Sequence, residues 1–164
     1  MTRVIVAEDH LLMRQGIVAS ITALGDTEVV AECETKDELL AAVAEQRPDV
    51  VVTDIRMPPT HTDEGIVAAL RLRRERPEIG VVVLSQFSQP AYVLSLFEQG
   101  SDGLAYLLKE RVWPSELERA IRTVADGGSV IDPRVVEVLV NARAAQPSAI
   151  DRLTPRERDV PGLI

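Results

Sequence analysis

The chain has 164 residues, 46% hydrophobic and 27% charged, with 26 acidic side chains against 18 basic ones and a net charge of −8. That balance excludes a wholly basic nucleic-acid binder. A single cysteine, Cys33, excludes an intramolecular disulfide and fits a cytosolic setting, and the sequence has neither a signal-peptide core nor a window near the ~18 apolar residues of a membrane span.

Short, valine-rich apolar runs recur at wide spacing, at residues 4–7, 29–31, 50–52, 81–84 and 104–108. Runs of this length and composition suit strands buried on both faces of a parallel sheet. Between them lie stretches with helical periodicity: 11–24 (Leu12, Ile17, Ile21, Leu24), 36–46 (Leu39, Leu40, Val43), 64–76 (Val67, Leu70, Leu72), 90–99 (Val93, Leu94, Phe97) and 115–126 (Leu117, Ile121, Val124). Thr35 and Glu38 have the spacing of a capping box. Pro114 opens the last of these helices, and Gly25, Gly100 and Gly127 fall just past helix ends. Five strand–helix units in this order predict an α/β fold, a doubly wound parallel sheet with right-handed crossovers, filling residues 1–127.

Residues 128–164 differ. The first 127 residues hold 13 basic and 21 acidic side chains, and the remainder 5 of each. Asp132-Pro133 opens a helical stretch through Val135, Val136, Leu139 and Val140, and residues 144–149 read as a linker. Thr154-Pro155-Arg156-Glu157 combines a cap, proline at the first helical position and an acidic third position, a helix start. The expected organisation is 1–127 as the α/β domain, 128–152 as a linker helix and linker, and 153–164 as the truncated start of a second domain.

In open parallel sheets, sites form beyond the carboxyl ends of the strands. Here those ends carry Glu8 and Asp9 after the first strand, Asp54 at the third, Ser85 at the fourth and Lys109 after the fifth. Three clustered carboxylates repel one another unless a cation intervenes, and hard oxygen donors suit Mg²⁺. Lys109 supplies a second positive charge and Ser85 a donor to a phosphoryl oxygen. The set fits transfer of a phosphoryl group onto a carboxylate, with Asp54 the central candidate.

These motifs resemble the receiver domain of two-component response regulators over about residues 2–127. The matching residues are Glu8-Asp9, Asp54 in Val51-Val52-Thr53-Asp54-Ile55-Arg56-Met57-Pro58, Ser85 in Val83-Leu84-Ser85, and Lys109 in Ala105-Tyr106-Leu107-Leu108-Lys109. The resemblance implies a flavodoxin-like five-stranded fold, phosphorylation of Asp54 by a sensor histidine kinase, and Mg²⁺ held by Glu8, Asp9, Asp54 and the Arg56 carbonyl. Ser85 and Lys109 would contact the phosphoryl group, and Tyr106 would be the aromatic switch. Residues 153–158, Leu-Thr-Pro-Arg-Glu-Arg, resemble the opening of a LuxR-type helix-turn-helix domain of the NarL/FixJ class. Control of transcription through promoter DNA is then implied for a longer parent protein, and this chain is expected not to bind DNA specifically.

The implied switch runs from Asp54 through Ser85, whose movement toward the phosphoryl oxygens frees space for Tyr106 to rotate inward. The helix of residues 90–99, the fifth strand and the helix of residues 115–126 would form the responding surface, with a homodimer contact strengthened or released there. His61 lies in a polar loop, residues 57–64, beside Asp54 that is expected to shape the site and start the next helix, with a metal-ligand role for His61 the lesser alternative. Arg71, Arg73, Arg74 and Arg76 read as a solvated face, and Cys33 as a small packed residue. Two alternatives are a phosphorylation-independent interaction module on the same scaffold and an aspartyl-phosphate hydrolase. Asp54-Ile55-Arg56 lacks the second carboxylate common in the latter. The absence of G-x-G-x-x-G after the first strand disfavours a dinucleotide site.

Overall fold

A computed structural model describes residues 1–86, 90–98, 100–111 and 114–145. Its elements are β1 (Thr2–Ala7), α1 (Leu11–Thr22), β2 (Thr27–Cys33), α2 (Lys36–Gln46), β3 (Val50–Asp54), α3 (Glu64–Glu75), β4 (Gly80–Ser85), α4 (Pro90–Phe97), β5 (Leu104–Leu108), a 3₁₀ turn (Lys109–Arg111), α5 (Pro114–Ala125), β6 (Val130–Ile131) and α6 (Pro133–Ala145). The strands run in the order β2-β1-β3-β4-β5-β6, all parallel. This is the flavodoxin-like doubly wound fold expected from the sequence. Chain order reverses between β1 and β3, and that switch point is where such sheets open a crevice.

The alternation of side chains along each strand builds two cores. Val4, Val6, Val50, Val52, Val82 and Leu84 pack with Ile17 and Ile21 of α1 and Leu117, Ile121 and Val124 of α5. Ile5, Val51, Val81, Val83 and Tyr106 face the other way, onto Leu39 and Val43 of α2, Ile66 and Leu72 of α3, and Val93 and Leu96 of α4. Each fully buried aliphatic side chain contributes about 1.5–3 kcal/mol over an exposed one. The central strands β3, β4 and β5 are buried at every position, which explains why they read as unbroken apolar runs.

The local signals hold in detail. The Glu38 amide donates to Thr35 Oγ1 at 3.1 Å, and the Glu38 carboxylate accepts from the Glu34 amide at 2.7 Å, one residue ahead of the position the simple capping box uses. Gly127 closes α5 at φ 88°, a left-handed conformation in which a side chain is strained.

Two expectations are corrected. The sheet has six strands rather than five: Val130 and Ile131, in the segment read from sequence as linker, pair in parallel with Ala105 and Tyr106. Two residues are too few to show period-2 alternation, so the strand left no sequence signal. Arg73 is not part of a solvated face. Its guanidinium donates to the carbonyls of Asp102 at 2.9 Å and Gly100 at 2.7 Å, tying α3 to the turn before β5. The expected linker at 146–152 and helix start at 154–157 lie outside the described residues.

The helix expected after Asp132 is α6, and it docks against α4 and β5. Val135 is wholly buried in the α2–α3–α4 core. Asp132, itself buried, accepts from the Arg134 amide at 2.8 Å through its side chain and from the Val135 and Val136 amides through its carbonyl. Asp132→Ala removes the side-chain cap and is expected to cost about 1 kcal/mol. Amide exchange should then accelerate through the first turns of α6 while protection in β1 and β3 is unchanged. Equal loss of protection across the sheet would show that the cap is not the local determinant of α6.

Candidate functional site

Register brings the strand ends together. Ala7 pairs with Thr53, Asp54 with Leu84, and Ser85 with Leu108. The Glu8 amide donates to the Cys33 carbonyl at 2.9 Å, carrying the β1–β2 ladder one residue past β1 and fixing where the Glu8 side chain emerges. Glu8, Asp9, Asp54, Ser85 and Lys109 therefore line one cleft of about 810 Å³ at the carboxyl edge of the sheet.

Lys109 spans the carboxylates. Its ammonium lies 2.6 Å from Glu8 Oε1 and 3.1 Å from Asp54 Oδ2, with the Lys109 side chain only 7% exposed. Glu8 Oε2 accepts from the His10 amide at 3.0 Å, and Asp54 Oδ1 from the Ile55 amide at 2.7 Å. Burial pushes the Asp54 carboxyl above its ordinary range, against the pull of Lys109 and the Ile55 amide. Glu8 is likewise raised by burial, with Lys109 and the His10 amide opposing. Asp9, less buried, completes the cluster. One oxygen from each of Glu8, Asp9 and Asp54 lies within 4.8 Å of the other two. Three carboxylates facing one ammonium leave negative charge uncompensated, and an all-oxygen donor set of this size fits a hard divalent cation.

Ser85 is buried at the end of β4. Arg56, two residues beyond Asp54, lines the cleft with its side chain exposed. Tyr106 is wholly buried, so the inward rotation expected on phosphorylation is the conformation already present. Burial holds its phenol above the usual range, and the neighbouring Ser85 hydroxyl pulls the other way. Among the described residues no hydrogen bond of ordinary geometry closes on the phenolic oxygen.

Two supporting residues, Arg14 and Gly65, escaped the sequence reading, and a third, Glu64, was expected only as the end of the polar loop that starts the next helix. Arg14 projects from the buried face of α1 that also carries Ile17 and Ile21. It donates to the Glu8 carbonyl at 2.8 Å and pairs with Glu32 at 3.2 Å, bracing the end of β1 from behind. An arginine at three- and seven-residue spacing from buried isoleucines was the available signal. Glu64, at the start of α3, is buried and gathers the Thr60 amide at 2.8 Å, the Thr62 amide at 3.1 Å and the Thr60 hydroxyl. Burial raises its carboxyl, but these donors outweigh burial and bring it down to about 2. Gly65 lets α3 sit against the site: a Cβ there would fall 1.7 Å from the Asp54 carbonyl oxygen, and the Gly65 amide donates to the Ile55 carbonyl at 2.7 Å. Cys33 is buried, as expected, at the end of β2.

A sheet switch point with buried carboxylates, a bridging lysine and a buried serine defines a receiver-type α/β domain. The chain belongs to the response regulator receiver domain family, whose match covers residues 4–122. It is 32% identical over 140 residues to the oxygen regulatory protein NreC of Staphylococcus epidermidis, covering 85% of this chain and 62% of that protein. It is 33% identical over 138 residues to the transcriptional regulatory protein DegU of Brevibacillus brevis, covering 84% and 56%. The solved signal receiver domain of NarL from Mycobacterium tuberculosis superposes with a TM-score of 0.67 at 31% identity, covering 77% of this chain and 97% of that one. Among response regulators the similarity is thus to the NarL/LuxR-type class. The chain spans about three-fifths of the length of the curated relatives it matches. Among the described residues no helix is long and apolar enough to cross a membrane.

Two outcomes follow from the α3 junction. Gly65→Ala must displace α3 or the Asp54 backbone, and is expected to cost at least the ~1–3 kcal/mol of a core overpacking, read by urea unfolding. Glu64 stabilises the fold fully above the ordinary glutamate value of 4.5, and that contribution is lost as the pH falls through about 2. Thermal melts of wild type and Glu64→Gln should therefore differ most above pH 4.5 and converge toward pH 2. A gap that widens on acidification would contradict the sign.

Proposed function

We propose that this chain is the phosphoacceptor module of a two-component response regulator, taking a phosphoryl group onto Asp54 from a sensor histidine kinase. The observation that carries this reading is the buried ammonium of Lys109 beside Asp54 and Glu8. An isolated buried carboxylate is costly to ionise, yet a phosphoryl acceptor must be ionised to attack. Lys109 offsets that cost at Asp54 and remains beside it to meet the incoming phosphoryl oxygens.

Glu8, Asp9, Asp54 and the Arg56 carbonyl would hold Mg²⁺, which would supply positive charge to neutralise the carboxylates and the incoming phosphoryl group. The chain's own residues account for the rest. The Ile55 amide, at 2.7 Å from Oδ1, orients the Asp54 carboxylate. A carboxylate oxygen attacks phosphorus and a P–O bond forms. The P–N bond to the kinase imidazole breaks, and its electron pair returns to nitrogen. Lys109 donates to the phosphoryl oxygens as the carboxylate gives up negative charge, and the Ser85 hydroxyl donates from the next strand.

Phosphorylation then favours Ser85 drawn toward the phosphoryl group, which leaves room for Tyr106 in the position it occupies here. A ligand shifts such an equilibrium only by its differential affinity for the two states, and the Ser85–phosphoryl bond supplies that difference. The surface formed by α4, β5 and α5 would respond, with a homodimer contact there. Residues 1–127 would be the receiver, 128–152 the linker and 153 onward the start of a LuxR-type DNA-binding domain, placing transcriptional output in a longer protein in the cytoplasm. DegU, a transcriptional regulator longer than this chain, supports that reading.

Acetyl phosphate with Mg²⁺ is expected to add one phosphoryl group to the wild-type chain by intact mass, and none to Asp54→Asn. Asp9→Asn should bind Mg²⁺ more weakly and label more slowly. Labelling of Asp54→Asn at the wild-type rate would overturn the assignment.

A further inference from the structure

Arg14 stands behind the phosphoacceptor cleft rather than in it. It lies on the face of α1 that also carries Ile17 and Ile21, and its side chain is 11% exposed. A guanidinium costs more to bury there than an aliphatic side chain of similar size, because its charge leaves water. What it gains is a fixed set of partners. Nη1 donates to the Glu8 carbonyl at 2.8 Å, while Nε lies 3.2 Å from Glu32 Oε1 and Nη2 3.9 Å from Glu34 Oε2. The planar fork thus meets the end of β1 with one edge and the end of β2 with another, which a lysine ammonium cannot do.

Glu8 is the residue that this clamp reaches. Its amide donates to the Cys33 carbonyl at 2.9 Å and its carbonyl accepts from Arg14, so the peptide groups on both sides of the Glu8 Cα are held. The His10 amide donates to Glu8 Oε2 at 3.0 Å, and the His10 carbonyl accepts from the Arg14 amide at 2.9 Å, closing a ring from α1 to Glu8 and back. The other carboxylate oxygen, Glu8 Oε1, is 2.6 Å from the Lys109 ammonium, which lies 3.1 Å from Asp54 Oδ2. A continuous series of contacts therefore runs from Glu32 through Arg14, Glu8 and Lys109 to Asp54.

We infer that Arg14 is a positioning residue for phosphoryl transfer to Asp54, acting through the Glu8 backbone on where Glu8 holds the Lys109 ammonium and faces the cation. This rests on reading Asp54 as the phosphoacceptor and Glu8, Asp9 and Asp54 as the cation site. A misplacement of about 1 Å at a reacting centre can cost about 10²-fold in rate. Partners one layer behind a metal site change affinity or activity about 10–100-fold when removed. Glu32 belongs to the same device, since it fixes the guanidinium from the side away from Glu8.

The test compares the full 164-residue chain with Arg14→Met, which keeps an unbranched apolar stem and removes the guanidinium, with Glu32→Gln, and with the double variant. Val124→Ala, on α5 beside Gly80 at the opposite edge of the sheet, is the destabilised control. Calorimetry gives Mg²⁺ affinity, intact mass the rate of labelling by acetyl phosphate, and urea unfolding the stability of each form. Arg14→Met is expected to bind Mg²⁺ about tenfold more weakly and, at saturating Mg²⁺, to label about tenfold more slowly. Glu32→Gln should shift both in the same direction by less, and the double variant should be no worse than Arg14→Met, because Glu32 acts only through Arg14. Val124→Ala should keep the wild-type Mg²⁺ affinity despite its lower stability. Wild-type affinity and labelling in folded Arg14→Met would overturn the inference. Should Arg14→Met not fold, Glu32→Gln decides, and wild-type behaviour there has the same consequence. An equal loss in Val124→Ala also overturns it, by making global stability the cause. Labelling that persists in Asp54→Asn would instead fail the phosphoacceptor reading beneath it.

Discussion

Lys109 places one ammonium 2.6 Å from Glu8 and 3.1 Å from Asp54 in a pocket where all three side chains are at most 10% exposed. Removing one partner of such a buried set strands charge at a cost of about 3–5 kcal/mol, so the backbone around it has to be held firmly. Much of the architecture serves that requirement. The Glu8 amide continues the ladder to β2, Arg14 braces the Glu8 carbonyl, and the His10 and Ile55 amides occupy the carboxylate oxygens opposite the lysine. What Lys109 leaves uncompensated is the negative charge that makes a cation-dependent phosphoacceptor chemically reasonable.

The second constraint is the approach of α3 to β3. Gly65 admits the helix to within contact of the Asp54 carbonyl, and Glu64 closes the preceding loop on itself. Both residues act on the site through backbone position. They set where the loop carrying His61 lies relative to Asp9, and hence the shape of the cleft mouth. The same helix holds the far side of the sheet through Arg73, so α3 links β3 to the turn that enters β5.

At the other edge, β6 and α6 attach the outgoing chain to the strand bearing Tyr106. The Asp132 amide donates to the Tyr106 carbonyl at 3.0 Å, and Ile131 pairs with Tyr106 in register. The strand bearing Tyr106 and the base of α6 are thus joined directly by backbone hydrogen bonds. Tyr106 itself fills core volume beside β4 and α4, with its phenol next to the Ser85 hydroxyl.

The sequence by itself determined the sheet, its helices and the chemical set at its edge. Period and punctuation are local properties, and burial of β3, β4 and β5 on both faces leaves a continuous apolar run that few other folds produce. Glu8, Asp9, Asp54, Ser85 and Lys109 were legible because strand ends in a parallel sheet converge whatever the intervening helices contain. The tertiary structure alone decided which donor meets which acceptor. Arg14, Arg73 and His61 look in sequence like ordinary polar residues on helices or a loop. Their partners, Glu8, Gly100 with Asp102, and Asp9, lie 6, 27 to 29, and 52 residues away. The two-residue β6 carries no pattern of its own and exists because β5 offers an unpaired edge. Long-range hydrogen bonds depend on distances of a few tenths of an ångström, which chain packing sets and residue order does not encode locally.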